Sequence, residues 1–459
     1  MSDSTTPGGS SSLSVTISSF EGREITDISK MVLECVIRES LFEPGITASL
    51  LIADAISLRS FLPIIGDERV KITIRSGGRD SYPIDLEFHL YKVDNITPVK
   101  DRTEMYSLEL VSPGLMFDIT RVVNTAFTAM TAESIVKSIF NRYISSYTNQ
   151  SLGELEPCRG LHQFTFPRMS PIRAIALVTS ESVSIKHPLS MMLFYEGIDG
   201  YNFRSIASMF QQRPREIYYW THQNLEHDKT KTLKLGELAI QRNQIMLEYS
   251  QSGSVDTLRG LMEGQYGMSL YKLDPIQKTF STSSYQINKD FQKVDHVGSS
   301  HEPTHATIAG VGQNFDRSQL AHGRYHITVS PPSPFMRGRP GASFPRTRTN
   351  SLVHTLPTFF QLHNTTFDVA VPGNSNMRAG QIVKLVFPEL TSIERTRKTN
   401  AAVTGHYLVT NVTHRKNKQG YSTVIQCMRD TFAQPIKNIS PETQNLIPNN
   451  THPTDGDRT

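Results

Sequence analysis

The chain has only three cysteines in 459 residues, Cys35, Cys158 and Cys427, each far from the others. That spacing builds neither a zinc knuckle nor a disulfide framework, so they read as reduced, buried thiols of a protein made in a reducing cytoplasm. No apolar run approaches the length of a membrane span, and no charged-then-apolar signal segment opens the chain; both argue against membrane insertion. Charge of one sign is scarce too. The formal net charge is +4, close to neutral for this length, and makes no general case for nucleic-acid or membrane binding. A phosphate-binding Gly-Lys-Ser/Thr loop, a G-x-S-x-G elbow and a G-x-G-x-x-G fingerprint are all missing. The acidic residues are scattered, with no pair set apart as an acid–base couple. No catalytic residue and no cofactor is expected on these grounds.

What is present describes a folded protein of several domains: 37% hydrophobic and 20% charged residues over a length too great for one core. Residues 1–13 and 436–459 are polar and rich in Ser, Thr, Pro or Asn, and read as flexible tails. Residues 14–115 are mostly β: Val70, Ile72 and Ile74 alternate with Lys71, Thr73 and Arg75, as in a sheet with one buried face. From 116 to 212 the pattern becomes α/β. Thr131 and Ser170-Pro171 are helix starts. Met192–Tyr195 and Tyr201–Phe203 flank a Gly-Ile-Asp-Gly turn as a hairpin. Residues 213–435 return to β, with a long Gly/Pro/His/Ser loop at about 290–350 and a hairpin turning at Asn417–Gly420.

One pattern occurs twice. Tyr91-Lys-Val-Asp-Asn-Ile-Thr97 reads like Tyr407-Leu-Val-Thr-Asn-Val-Thr413, and each copy leads to a Tyr-Ser pair, Tyr106-Ser107 and Tyr421-Ser422. Upstream stand Gly66 with Val70-Lys71 and Gly380 with Val383-Lys384, at glycine-to-tyrosine spacings of 25 and 27 residues. The repeat predicts two related β-units in one chain, so three chains would present six similar faces. Tyr91, Asn95, Tyr407 and Asn411 are the interface candidates, since quasi-equivalent contacts need similar side chains.

Two motifs offer rival chemistry. His301-Glu-Pro-Thr-His305 matches H-E-x-x-H, which in zinc peptidases needs a helix to set both histidines on one face. Pro303 removes a backbone donor inside that helix. A zinc hydrolase using His301, Glu302 and His305 is therefore the alternative reading and a solvated histidine pair the preferred one; a third is adventitious or structural metal binding with His296, His322 or His326 nearby. Arg337, Arg339, Arg346 and Arg348 lie in a segment free of acids and interleaved with Phe335 and Phe344. Such a segment suits nucleic acid or an acidic protein surface, and its four arginines join the interface candidates.

Several segments in order resemble the baseplate hub protein of contractile-tailed, T-even-like bacteriophages. They are Ile65–Ile72, Leu108–Pro113, Phe166–Ile175, Asp199–Ser205, Asp256–Gly267, Val369–Asn374, Ala379–Val383 and Gly405–Asp430. The hub part of type VI secretion spike proteins is similar to the same family and is the nearest alternative. The resemblance implies a mainly β fold with an inserted α/β domain (α+β) and two tube-type antiparallel β-barrels per chain. It also implies a homotrimer that adapts a sixfold inner tail tube to a threefold cell-puncturing spike. The expected partners are the chain itself, the inner tail tube protein, the central spike protein and neighbouring baseplate proteins, with DNA only in transit through the ejection channel. The expected place is the virion, after synthesis in the host cytoplasm.

Overall fold

The computed structural model describes residues 11–19, 25–61, 64–66, 68–76, 81–100, 103–220, 243–253, 256–274, 278–298, 307–309, 314–316, 325–329, 347–388, 400 and 402–431. The N-terminal strands are β1 (Ser12–Ser18), β2 (Ile25–Asp27), β3 (Val32–Ser40), β4 (Thr47–Asp54), β5 (Arg69–Arg75), β6 (Ile84–Lys100) and β7 (Thr103–Val111). They lie side by side in the order β3-β4-β7-β6-β5-β1-β2, every neighbour antiparallel. The expected alternation holds. Val70, Ile72 and Ile74 are fully buried, while on the wet face Lys71 pairs with Asp85 at 3.2 Å and Arg69 with Glu87 at 3.6 Å.

The middle of the chain forms β8 (Ala126–Met130), β9 (Leu152–Leu155), β10 (His162–Thr165), β11 (Met192–Gly197) and β12 (Gly200–Ser205), with helices at Ala132–Phe140 and Pro171–Glu181. Thr131 and Ser170 occupy the helix starts in extended conformation, and Pro171 supplies a first-turn residue that needs no donor. Ile135, Val136, Ile139 and Phe140 pack with Ile175, Val178, Tyr201 and Phe203 in one core. The β11–β12 hairpin turns where the glycines stand, and Gly200 takes φ +127° beside the Ser151 carbonyl.

The remaining strands are β13 (Glu216–Tyr219), β14 (Glu248–Gly253), β15 (Gly267–Asp274), β16 (Thr279–Gln286), β17 (Thr307–Ala309), β18 (Asn314–Asp316), β19 (Tyr325–Val329), β20 (Thr365–Pro372), β21 (Ile382–Val386), β22 (Gly405–Asn417) and β23 (Gly420–Arg429). The stretch expected as an unbroken loop at 290–350 contains real elements. β19 pairs in parallel with β15, and a helix at Thr347–Leu362 crosses Pro357. Tyr325-His-Ile-Thr-Val329 is rich in strand formers, but its Gly- and Pro-rich flanks mask that signal. The helix buries Val353 against Tyr266, Leu270 and Tyr285. Tertiary packing thus holds a segment that its own proline weakens.

A second run of strands has the order β14-β20-β23-β22-β21-β13. It matches β3-β4-β7-β6-β5-β1 neighbour for neighbour, except that β13 runs parallel to β21 where β1 is antiparallel to β5. Gly66 and Gly380 precede equivalent strands and take φ +101° and +85°. Both tight turns are braced by the following acid or amide. Glu68 accepts from the N–H groups of Ile65 and Gly66, and Gln381 from that of Arg378. Leu90 then donates to the Glu68 carbonyl as Val409 does to that of Gln381, each at 2.9 Å.

The two runs are joined. On the side of β22 away from β23, Gly405–Leu408 pairs with β21, and Asn411–Asn417 pairs antiparallel with β3. One continuous sheet results.

Candidate assembly surfaces

The seam between β22 and β3 is built from both ends of the chain. Its ladder sets Asn411 opposite Ser40 and Asn417 opposite Glu34. The Leu41 N–H donates to the Thr410 carbonyl at 2.9 Å, and Arg415 forms an ion pair with Glu34. Tyr421 of β23 enters the N-terminal core among Cys35 and Ile37. Its Oη shares a 2.8 Å hydrogen bond with His414 Nδ1. Burial pushes the His414 pKa down to about 3, so this imidazole is neutral. Gly373 is required here, because a Cβ would come within 2.0 Å of the Tyr421 ring.

Buried carboxyls fasten the middle of the chain to this seam. Glu39 of β3 accepts from the Ala379 N–H at 2.9 Å, and burial raises its pKa to about 8. Next to it, Arg378 grips Asp199 at the tip of the β11–β12 hairpin with two bonds, 2.9 and 3.1 Å. Glu196 of β11 accepts from the Ile46 N–H at 3.0 Å and from Gln150 Nε2, and burial raises its pKa to about 7. Glu156 accepts from the Ser205 N–H, the Ser205 hydroxyl and the Ser184 hydroxyl. Each carboxyl links segments far apart in sequence, and none faces an open cleft. No motif marks them beforehand: Glu34 and Glu39 lie on one strand, and only the fold separates the half-buried one from the fully buried one.

The repeat holds at the level of strands and only partly at that of residues. Leu110 and Cys427 lie equally far beyond the turns that Thr103 and Gly420 close, and they face Leu90 and Val409. Continuing into β5 and β21, Val70-Lys71 and Val383-Lys384 are register equivalents. The tyrosines are not. Tyr407 corresponds to Phe88, and Tyr91 is an extra residue at a bulge of β6. β22 carries between Val409 and Asn411 the same bulge that β6 has between Leu90 and Lys92, and the sequence match is out of phase with that structural register; the bulges of β6 between Asp94 and Thr97 and between Pro98 and Lys100 have no counterpart in β22.

The four interface candidates from the repeat therefore sit differently. Tyr91 is 53% exposed and Asn95 is exposed with φ +55°, a conformation Asn tolerates. Tyr407 is 0% exposed; it packs on Phe367, lies under the Arg429 guanidinium and donates to the Val403 carbonyl. Asn411 is half-buried and donates to Gln426 Oε1 at 2.7 Å. Arg337, Arg339 and Arg346 lie outside the described residues, and Arg348 falls in the first turn of the helix Thr347–Leu362.

His301, Glu302 and His305 also lie outside the described residues. Their neighbour His296 is committed elsewhere. Nδ1 bonds Asp430 and Nε2 bonds the Phe291 carbonyl, each at 2.7 Å. Burial alone would lower its pKa, but these bonds and the Asp430 charge hold it above the ordinary value. Among the described residues no group of His, Cys, Asp and Glu could hold a metal ion, and no helix is long and apolar enough to cross a membrane. All three cysteines are free and buried. A cleft lined by Met191, Ile206, Phe210, Asp295 and Phe359 has about 20 Å³ of room, on the order of one water molecule. The organised chemistry here joins strands.

No protein-family model matches the chain, and a search of curated proteins found no match. Solved structures do match. A tail protein from Neisseria meningitidis MC58 is similar with a TM-score of 0.54 at 9% identity, over 91% of this chain and 97% of that one. The 43 kDa tail protein of prophage MuSo2 from Shewanella oneidensis is similar with a TM-score of 0.50 at 10% identity, over 91% and 99%. The chain has the fold of phage tail proteins, mainly antiparallel β with few helices.

Proposed function

We propose that this chain is a structural virion protein without catalytic activity, the baseplate hub at the distal end of a phage tail tube. Three copies form a ring whose two related β-units per chain present six similar faces to the sixfold inner tube. The other side meets a threefold cell-puncturing spike, and the ring lines part of the ejection channel, where DNA passes in transit. In this reading residues 14–115 and 213–435 are the two tube-type β-barrels, 116–212 is the inserted α/β domain, and 1–13 and 436–459 are tails. The protein acts in the virion, on neighbours in the baseplate.

The observation that carries this reading is the shared neighbour order of the two strand runs in a chain with a phage tail fold. A trimer made this way needs heterologous contacts that close after three copies. Reconstruction of the assembled tail tests it. Three copies are expected in the ring next to the tube; two or six would exclude the adaptor role.

A further inference from the structure

The internal seam has two halves, and among the described residues the equivalent of each half takes no strand elsewhere in the same chain. In β22 the half Asn411–Asn417 pairs with β3. Its counterpart in β6 is the half beyond Leu90. β5 pairs only with Ile84–His89, and among the described residues no strand pairs with Tyr91–Lys100 on that side. The counterpart of β3 is β14. β20 takes one edge of β14, and among the described residues no strand takes the other. β14 ends the continuous sheet, and β6 lies in the run beyond the seam.

We propose that Lys92–Lys100 of β6 in one copy pairs antiparallel with Glu248–Gly253 of β14 in the next copy, repeating between chains the seam that β22 and β3 make within one. This rests on the trimeric reading above and names the edges that close its ring. The occupant is a second copy because the chain already contains the matching joint. Joining a head edge to a tail edge is heterologous and propagates around a ring. The internal register also transfers. Lys100 is equivalent to Asn417 and Glu248 to Glu34, so Lys100 comes opposite Glu248, and Thr97 opposite Ser250. Ile96 and Val99 on β6 are 46% and 50% exposed, apolar residues on an edge that a lone monomer would leave to water.

Cysteine pairing in the full-length chain tests this. Directly opposed residues have Cβ atoms roughly 4.5–5.5 Å apart, and the native cysteines are all buried. Thr97→Cys combined with Ser250→Cys, treated with a mild external thiol oxidant, should give a disulfide-linked trimer on a denaturing gel that a reductant returns to monomer. Neither single variant should do so. A trimer by sedimentation with no covalent product would overturn the seam and leave the trimer standing; the bulges and Pro98 would then act to blunt the edge. A covalent ladder extending past three would uphold the seam and sink the closed ring. Monomer alone, with no cross-link, would overturn the seam.

Discussion

Tyr91 and Tyr407 look alike in sequence and have opposite environments, so their substitutions should separate. Tyr407→Ala removes a ring packed on Phe367 and beneath Arg429, and should cost about 3–5 kcal/mol. Tyr91→Ala at an exposed bulge should change stability by no more than about 0.5 kcal/mol. Chemical denaturation of the two variants checks both; equal losses would mean that the burial contrast is wrong. The histidine motif makes a second residue-scale prediction. With Pro303 between His301 and His305, purified protein should carry no stoichiometric zinc by elemental analysis. Zinc at one per chain, with hydrolysis lost in Glu302→Gln, would reverse that. Local sequence showed where the strands and turns lie. It did not show which tyrosine is inside, because a single bulge moves a side chain to the other face of a sheet.

At the scale of elements, Glu39 fastens β3 to Ala379 beside the β11–β12 hairpin, and Glu196 fastens that hairpin's first strand to Ile46. Burial raises their pKa values to about 8 and about 7, from 4.5 for an ordinary glutamate. Between the unfolded and folded values the folded chain holds protons that the unfolded chain releases. Stability therefore falls as pH rises through that window, the reverse of the behaviour of a salt-bridged carboxylate. Glu39→Gln should remove its share of the decline and leave that of Glu196. Urea midpoints at about pH 5 and about pH 9 measure it; an unchanged slope would mean that Glu39 is already ionised in the fold. The helices at Ala132–Phe140 and Pro171–Glu181 were legible because a cap signal and an apolar stripe are local properties. β19 and the helix Thr347–Leu362 were not, because their stability comes from contacts with β15 and β16.

At the scale of the whole molecule, the proposed ring would depend on edges rather than on a pocket. The sequence by itself determined the β alternation, the α/β middle segment, the Asn417–Gly420 hairpin, and a doubled unit marked by Gly66 with Val70-Lys71 and Gly380 with Val383-Lys384. Those signals are short-ranged: a period of two, a turn residue, a glycine whose backbone needs positive φ. Only the tertiary structure decided that the two runs share one neighbour order, that Tyr407 answers to Phe88, and that β22 is joined to β3. It also decided that β6 and β14 keep open edges among the described residues. The physical reason is that strand pairing is a non-local choice. Each strand has two edges, the residue pattern says which face is buried, and it does not say which strand lies alongside.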